Sequence, residues 1–339
     1  MAEAFLQLSI EDRRDALEVA ASRSGRPAHL LEKDIWVVWS LDALFASPLG
    51  AKLVFKGGTS LSKAYRVIRR FSEDVDLTYD IRAIVPDLVG DAEDALPSTR
   101  SAEKRWTSEI KKRLPQWVAE QALPVIVARL ADTHAPAEAI VDGEKIFVTY
   151  DATAAGTGYV RPAVMLEFGA RSTGEPCAPF DIECDAAELV EGLIFPQAAA
   201  RVMRAERTFW EKATAAHVYC AQGRLRGERF ARHWHDLARL DEAELAKAAI
   251  ADRGVADAVA AHKTMFFSER DASGAPIDYK AAVSGHLLLV PEGGARDALA
   301  EDYVHMIDDG LLLDAGEPFD ALMERCADIA ARANAAAGA

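Results

Sequence analysis

The sequence predicts an α+β protein in which a small mixed sheet with helices is followed by an all-helical C-terminal lobe. Three observations predict it. Short apolar or alternating runs cluster between residues 52 and 183, as strands do. From about residue 198 onward the sequence is alanine-rich and charged, with helical periodicity almost throughout. A chain of 339 residues, 50% of them hydrophobic, can fill two modest cores. The boundaries read as a helical prefix over 1–50 packed on the core, a sheet-bearing core over 51–197 and a helical lobe over 198–339.

Ser9 followed by Asp12 is a helix start, with Ile10, Leu17 and Val19-Ala20 at amphipathic spacing behind it. A second helix is predicted from about Pro27 to Phe45, where Leu31, Ile35, Val38-Trp39 and Leu41 form a broad apolar stripe. Lys52-Leu53-Val54-Phe55 reads as a short buried strand ended by Gly57-Gly58, and Thr59 to Val67 as a helix. Asp74 to Tyr79 alternates polar and apolar residues, the period of a half-buried strand. A polar helix follows at about Ala102 to Gln121, then strands at Ile146 to Tyr150, Val164 to Phe168 and Phe180 to Glu183. In the helical lobe the breaks fall at Gly223, Gly254, Ser273 to Pro276 and Pro291 to Gly294, and the final NAAAGA is expected to fray.

A formal net charge of −15 argues against broad, non-specific adhesion to nucleic acid, which is driven by neutralising phosphates. It leaves room for a local basic surface from Lys104-Arg105, Lys111-Lys112-Arg113 and Arg224, Arg226, Arg229 and Arg232, runs that a solvated helix face also explains. Cys177, Cys184, Cys220 and Cys326 show no CxxC spacing, so reduced, mostly buried thiols are expected. With no bilayer-length apolar stretch and no secretory pattern in MAEAFLQLSIEDRRD, a cytoplasmic protein is expected.

The chemistry concentrates between residues 55 and 77. Residues i and i+2 of a strand share a face, so Asp74 and Asp76 project together while Glu73 and Val75 point away. Two carboxylates side by side suit Mg²⁺, which is bound through a few carboxylates, waters and substrate phosphates. Gly57 and Gly58 let the backbone approach a phosphate, and the start of the next helix offers it N–H groups. Within this Gly57-Gly58-Thr59-Ser60 turn, Ser60 adds a hydroxyl. Lys63 lies one turn further on, where an ammonium can reach a phosphate oxygen. The spacing is not that of a P-loop.

Phe55-Lys56-Gly57-Gly58-Thr59-Ser60-Leu61-Ser62-Lys63 and Arg70-Phe71-Ser72-Glu73-Asp74-Val75-Asp76-Leu77 resemble the first two motifs of the AbiEii/AbiGii toxin family of nucleotidyltransferases. Glu206 to Lys212 (ERTFWEK) and Arg232 to Leu237 (RHWHDL) resemble its third and fourth, and the similarity runs from about Lys33 to Leu240. The resemblance implies a polymerase-β-like nucleotidyltransferase core joined to a helical lobe. It implies a toxin of a bacterial toxin–antitoxin or abortive-infection system, with a cognate DNA-binding antitoxin. Related MenT-type toxins add nucleotides to the 3′ end of tRNA, which implies an NTP donor, an RNA acceptor and a block of translation. Ser60 carries over as a triphosphate contact, Asp74 and Asp76 as metal ligands, Lys212 as a phosphate contact and Asp236 as a catalytic residue that orients it. Such sites often take a third carboxylate from a neighbouring strand, and Glu167 is the candidate, with a solvated strand-edge glutamate as the equal alternative. His233, His235 and Asp236 could be grouped as a metal site, yet i and i+2 fall on different helix faces, which favours packing or capping.

Two other functions fit the same residues. A nucleotidyltransferase could modify a protein side chain or a small molecule, which the acidic net charge accommodates. A non-catalytic regulator could bind NTP·Mg²⁺ without transferring anything.

Overall fold

The computed structural model describes residues 3–68, 70, 74–154, 161–225, 229–308, 312 and 316–338. The motif residues Phe71, Ser72 and Glu73 and the basic-run residue Arg226 lie outside them. The chain divides into two compact units: Met1–Ala64, Glu73–Ala95 and Arg105–Val202 form the first, and Tyr65–Ser72, Leu96–Lys104 and Met203–Ala339 the second.

The first unit is built on a seven-stranded mixed sheet. Its strands are β1 (Leu53–Lys56), β2 (Asp74–Tyr79), β3 (Ala137–Asp142), β4 (Lys145–Tyr150), β5 (Ala163–Gly169), β6 (Cys177–Glu183) and β7 (Gln197–Met203), in the spatial order β3-β4-β5-β2-β1-β7-β6. β2 runs antiparallel to β1 and parallel to β5, while β4 is antiparallel to both β3 and β5. In β2 the alternation works as expected: Val75 and Leu77 are buried, whereas Asp74 and Asp76 stay half-exposed on the other face.

The helical prefix belongs to this unit. Helix α1 (Ile10–Ser24) starts at Ser9, whose hydroxyl accepts the Asp12 N–H at 3.1 Å. Helix α2 (Ala28–Phe45) is buried along nearly its whole length, and Trp36 stacks on Tyr150 of β4 at 5.2 Å. The predicted polar helix is longer than expected: α4 (Arg100–Trp117) passes through a π turn, Val118–Ala122, into α5 (Leu123–Thr133). The widened turn ends next to Pro124, whose ring cannot sit over the carbonyl four residues back in a regular α-helix. Between them Trp117 stacks on Tyr79 at 4.1 Å and meets Phe168 edge-on at 5.7 Å, clamping the helix to β2 and β5. Helix α3 (Gly57–Lys63) begins at the two glycines themselves and ends before the predicted Val67.

The helical lobe was expected from residue 198, but residues 197–203 form strand β7. Ala198, Ala200 and Val202 point into the core and alternate with exposed or half-exposed Gln197, Ala199 and Arg201. Alanine is a strong helix former, so the period-two pattern was masked and a place beside β1 overrides the local preference. The second unit then contains α6 (Ala205–Gln222), α7 (Ala231–Glu242), α8 (Leu245–Ala251), α9 (Arg253–Phe266), α10 (Tyr279–Val283), α11 (Gly293–Asp308) and α12 (Phe319–Ala336). Its core is built on two fully buried tryptophans whose indole N–H groups are both satisfied: Trp210 donates to the Ala249 carbonyl at 2.8 Å and Trp234 to Leu289 at 2.6 Å. The C-terminal segment expected to fray is helical as far as Ala336. Cys184 and Cys326 are buried, Cys177 and Cys220 half-buried, and all four are free thiols.

Candidate active site

Strands β1 and β2 bring the glycine turn to the acid pair. Lys56, the last residue of β1, is the register partner of Asp76, so the chain enters the turn beside that carboxylate. Gly57 has φ +80°, and a Cβ built on it would overlap the Asp76 carboxylate, with Cγ 2.9 Å away. Only glycine permits that approach. The Thr59 hydroxyl donates to the Asp74 carbonyl, fastening the first turn of α3 to the start of β2. The glycine turn, Asp74 and Asp76 therefore form one local assembly.

On the next strand Glu167 is the register partner of Asp76, and on the strand beyond it Lys145 is the partner of Glu167. Glu167 Oε2 lies 2.9 Å from Lys145 Nζ. The hydrogen bond to Glu167 raises the Lys145 pKa despite partial burial, and Glu167, Asp74 and Glu144 add to the effect. Among the described residues no three His, Cys, Asp or Glu side chains converge as a metal-holding group. The donor chemistry of Asp74 and Asp76 fits a Mg²⁺ ion: hard carboxylate oxygens on one half-exposed face beside a backbone that can admit phosphates. Glu167 stands next to that pair, but its carboxylate is held by Lys145.

Two predicted phosphate contacts are placed differently from expectation. The Ser60 side chain is fully buried, and its hydroxyl donates to the Gly57 carbonyl at 2.9 Å, bracing the turn from behind. Lys63 is buried in an ion-pair triad, 2.5 Å from Asp34 of α2 and 2.7 Å from Asp185 after β6. Burial alone would lower its pKa, but the two carboxylates more than offset this and raise it. Lys63 sits on α3 as the spacing predicts, but its ammonium is engaged by Asp34 and Asp185 on the side of α2. Asp34 also accepts the Asp185 N–H at 2.6 Å, and Arg26 pairs with Asp185. Lys63 thus anchors α3 from beneath.

The other two predicted residues meet in the second unit. Lys212 of α6 lies 2.8 Å from Asp236 Oδ2 of α7. Sequence reasoning missed a third member: Arg70 grips the same carboxylate with both arms, Nε to Oδ1 at 2.8 Å and Nη2 to Oδ2 at 2.9 Å. Its only sequence signal is its place at the head of the second motif. Asp236 is fully buried; burial would raise its pKa, but Arg70 and Lys212 pull it well below the usual carboxylate range. Arg70 and Lys212 both bear on this one carboxylate, and of the two the Lys212 side chain is the more exposed, 11% against 4% for Arg70. His233 is pushed down to about 3 by burial and by Lys212, and is neutral at physiological pH. The basic runs are partly neutralised, since Arg113 pairs with both Asp87 and Glu109.

Comparison with known proteins places these features in a family. A family model described as the nucleotidyl transferase AbiEii toxin of type IV toxin–antitoxin systems matches residues 39–325. The structure is similar to MenT4, a nucleotidyltransferase toxin of Mycobacterium tuberculosis H37Rv, at 17% identity over 94% of this chain and 89% of that one, with a TM-score of 0.45. It is also similar to JHP933 of Helicobacter pylori, at 17% identity over 91% and 90% of the two chains and a TM-score of 0.37. A further H. pylori structure described as a nucleotidyltransferase has 16% identity over 91% and 95% and a TM-score of 0.37. No curated protein sequence matches the chain. No helix among the described residues is long and apolar enough to cross a membrane. With all four motifs inside the matched segment, the chain belongs to the AbiEii family of nucleotidyltransferase toxins.

Proposed function

We propose that this toxin transfers a nucleoside monophosphate from an NTP to the 3′ hydroxyl of an RNA, a tRNA above all, in a Mg²⁺-dependent reaction that stops translation in the cytoplasm. The observation that carries the proposal is the close approach of Gly57 to the Asp76 carboxylate, with Asp74 on the same strand face. Asp74 and Asp76 would hold the metal. Bound there, Mg²⁺ supplies charge neutralisation for the triphosphate and for the displaced pyrophosphate. In the transfer, the acceptor oxygen bonds to the α-phosphorus, the bond to the β-phosphate oxygen breaks, pyrophosphate leaves and the hydroxyl proton passes to solvent.

The chain's own groups have distinct parts in this. The backbone at Gly57 and Gly58 admits the triphosphate, and Thr59 and Ser60 hold the turn in shape through the Asp74 and Gly57 carbonyls. The motif resemblance gives the Lys212 ammonium the part of a phosphate contact, a part that its positive charge suits. Asp236, out of reach of solvent, acts through Lys212 as a positioning residue, and Arg70 fixes Asp236. The choice of RNA as acceptor comes from the motif resemblance, as does the expectation of a cognate DNA-binding antitoxin.

The test is incubation of the pure protein with Mg²⁺, total RNA and each α-labelled NTP in turn. Label on small RNA supports the proposal. Label on protein or on a small molecule in a lysate redirects it to another acceptor, and NTP binding without any transfer makes the chain a regulator.

A further inference from the structure

A row of charged side chains crosses four adjacent strands of the first unit at the acid pair. Lys56 on β1 is the partner of Asp76 on β2, Asp76 of Glu167 on β5, and Glu167 of Lys145 on β4. Register partners in a sheet project to the same face. The row therefore reads Lys, Asp, Glu, Lys, with Asp142 of β3 as the further partner of Lys145. Asp76 has a second carboxylate beside it on the next strand, in the place from which a third hard-oxygen ligand would come. That carboxylate is already paired with the Lys145 ammonium, 2.9 Å away. Among the described residues, these two acids in register do not join Asp74 as a three-carboxylate group.

We infer that Lys145 is a latch on the metal site: it holds Glu167 away from the cation bound by Asp74 and Asp76 and sets that cation's affinity before nucleotide binds. The inference rests on the Asp74/Asp76 metal reading. An ammonium next to the site repels a divalent ion, and it also withholds one carboxylate from it. Both effects weaken binding, and both vanish with the charge. Because Lys145 and Glu167 are 34% and 43% exposed, solvent screens the pair and the expected change is about tenfold rather than many thousandfold.

The experiment is calorimetric titration of Mn²⁺ into the full chain without nucleotide, for the wild type, Lys145→Met, Lys145→Arg, Glu167→Gln and the Lys145→Met/Glu167→Gln double variant, each checked for an intact thermal transition. Lys145→Met should bind about tenfold more tightly and Lys145→Arg like the wild type. Glu167→Gln should change wild-type affinity by less than about threefold, yet remove most of the gain in the Lys145→Met background. Wild-type binding with no gain in Lys145→Met overturns the latch, as does a gain that survives Glu167→Gln. Absence of Mn²⁺ uptake by every variant overturns the metal reading itself, and the latch with it.

Discussion

Replacing Gly57 by alanine separates the backbone's need for glycine from the site's need for it. At φ +80° an L-residue pays about 1–2 kcal/mol of conformational strain. The new methyl would also lie 2.9 Å from Asp76 Cγ and 3.1 Å from its Cβ. Ordinary carbon contacts are about 3.5–4.0 Å, so the Asp76 side chain has to retreat by roughly 1 Å. A misplacement of that size can lower a rate about 100-fold, or about 2.7 kcal/mol of barrier, which exceeds the strain itself. Gly25→Ala is the matched control: φ is +72°, and a Cβ there meets nothing within 4 Å. Both variants should lose about 2–8 °C in Tm, followed by differential scanning fluorimetry. Only Gly57→Ala should lose about 100-fold in transfer of label from NTP. Equal activity in the two variants would refute the claim that the turn and the Asp76 carboxylate work as one site.

Asp74→Ala or Asp76→Ala should abolish transfer while changing unfolding free energy by less than about 1 kcal/mol, because each removes one of two like charges on a half-exposed face; urea titration checks it. Lys63→Met leaves Asp34 and Asp185 without their shared cation and should destabilise the protein by roughly 3–5 kcal/mol in the same titration; an unchanged transition with a raised KM for NTP would return Lys63 to the phosphate. Asp236→Asn should also destabilise by about 3–5 kcal/mol at neutral pH, since it removes the buried charge that Arg70 and Lys212 share. The Asp236 pKa is lowered on folding, so the ionised carboxylate's contribution is complete above the unfolded value and fades as pH falls below about 4 toward the folded one. The Tm gap between wild type and Asp236→Asn should accordingly stay constant from about pH 8 to pH 5 and narrow under stronger acid.

The elements with a clean period were legible: Ser9 caps α1, the apolar stripe from Leu31 to Leu41 is buried in α2, and Asp74 to Tyr79 is a strand with its acids on one face. Residues 197–203 were not, because small alanines alternating with polar residues carry a strand's period and a helix's composition. Among the site residues, Gly57, Asp74 and Asp76 are adjacent in sequence motifs and also in space, since a single antiparallel pairing joins β1 to β2. Lys63 and Glu167 show the limit. Helical spacing put Lys63 on α3, but which partner that face meets depends on Asp34 and Asp185, distant in the chain. Glu167 and Lys145 come into register only when β4 and β5 pair, and Arg70 reaches Asp236 across 166 positions of sequence. No local pattern encodes such partners.

Calorimetric titration of each ribonucleoside triphosphate into the protein, with Mg²⁺ and with EDTA, for the wild type and Asp76→Ala, reads out whether the acid pair and the glycine turn hold metal and nucleotide together. Binding of at least one nucleotide that needs Mg²⁺ and disappears in Asp76→Ala is the predicted result. Nucleotide binding that is indifferent to both the metal and Asp76, or no binding at all by the folded wild-type protein, would contradict it.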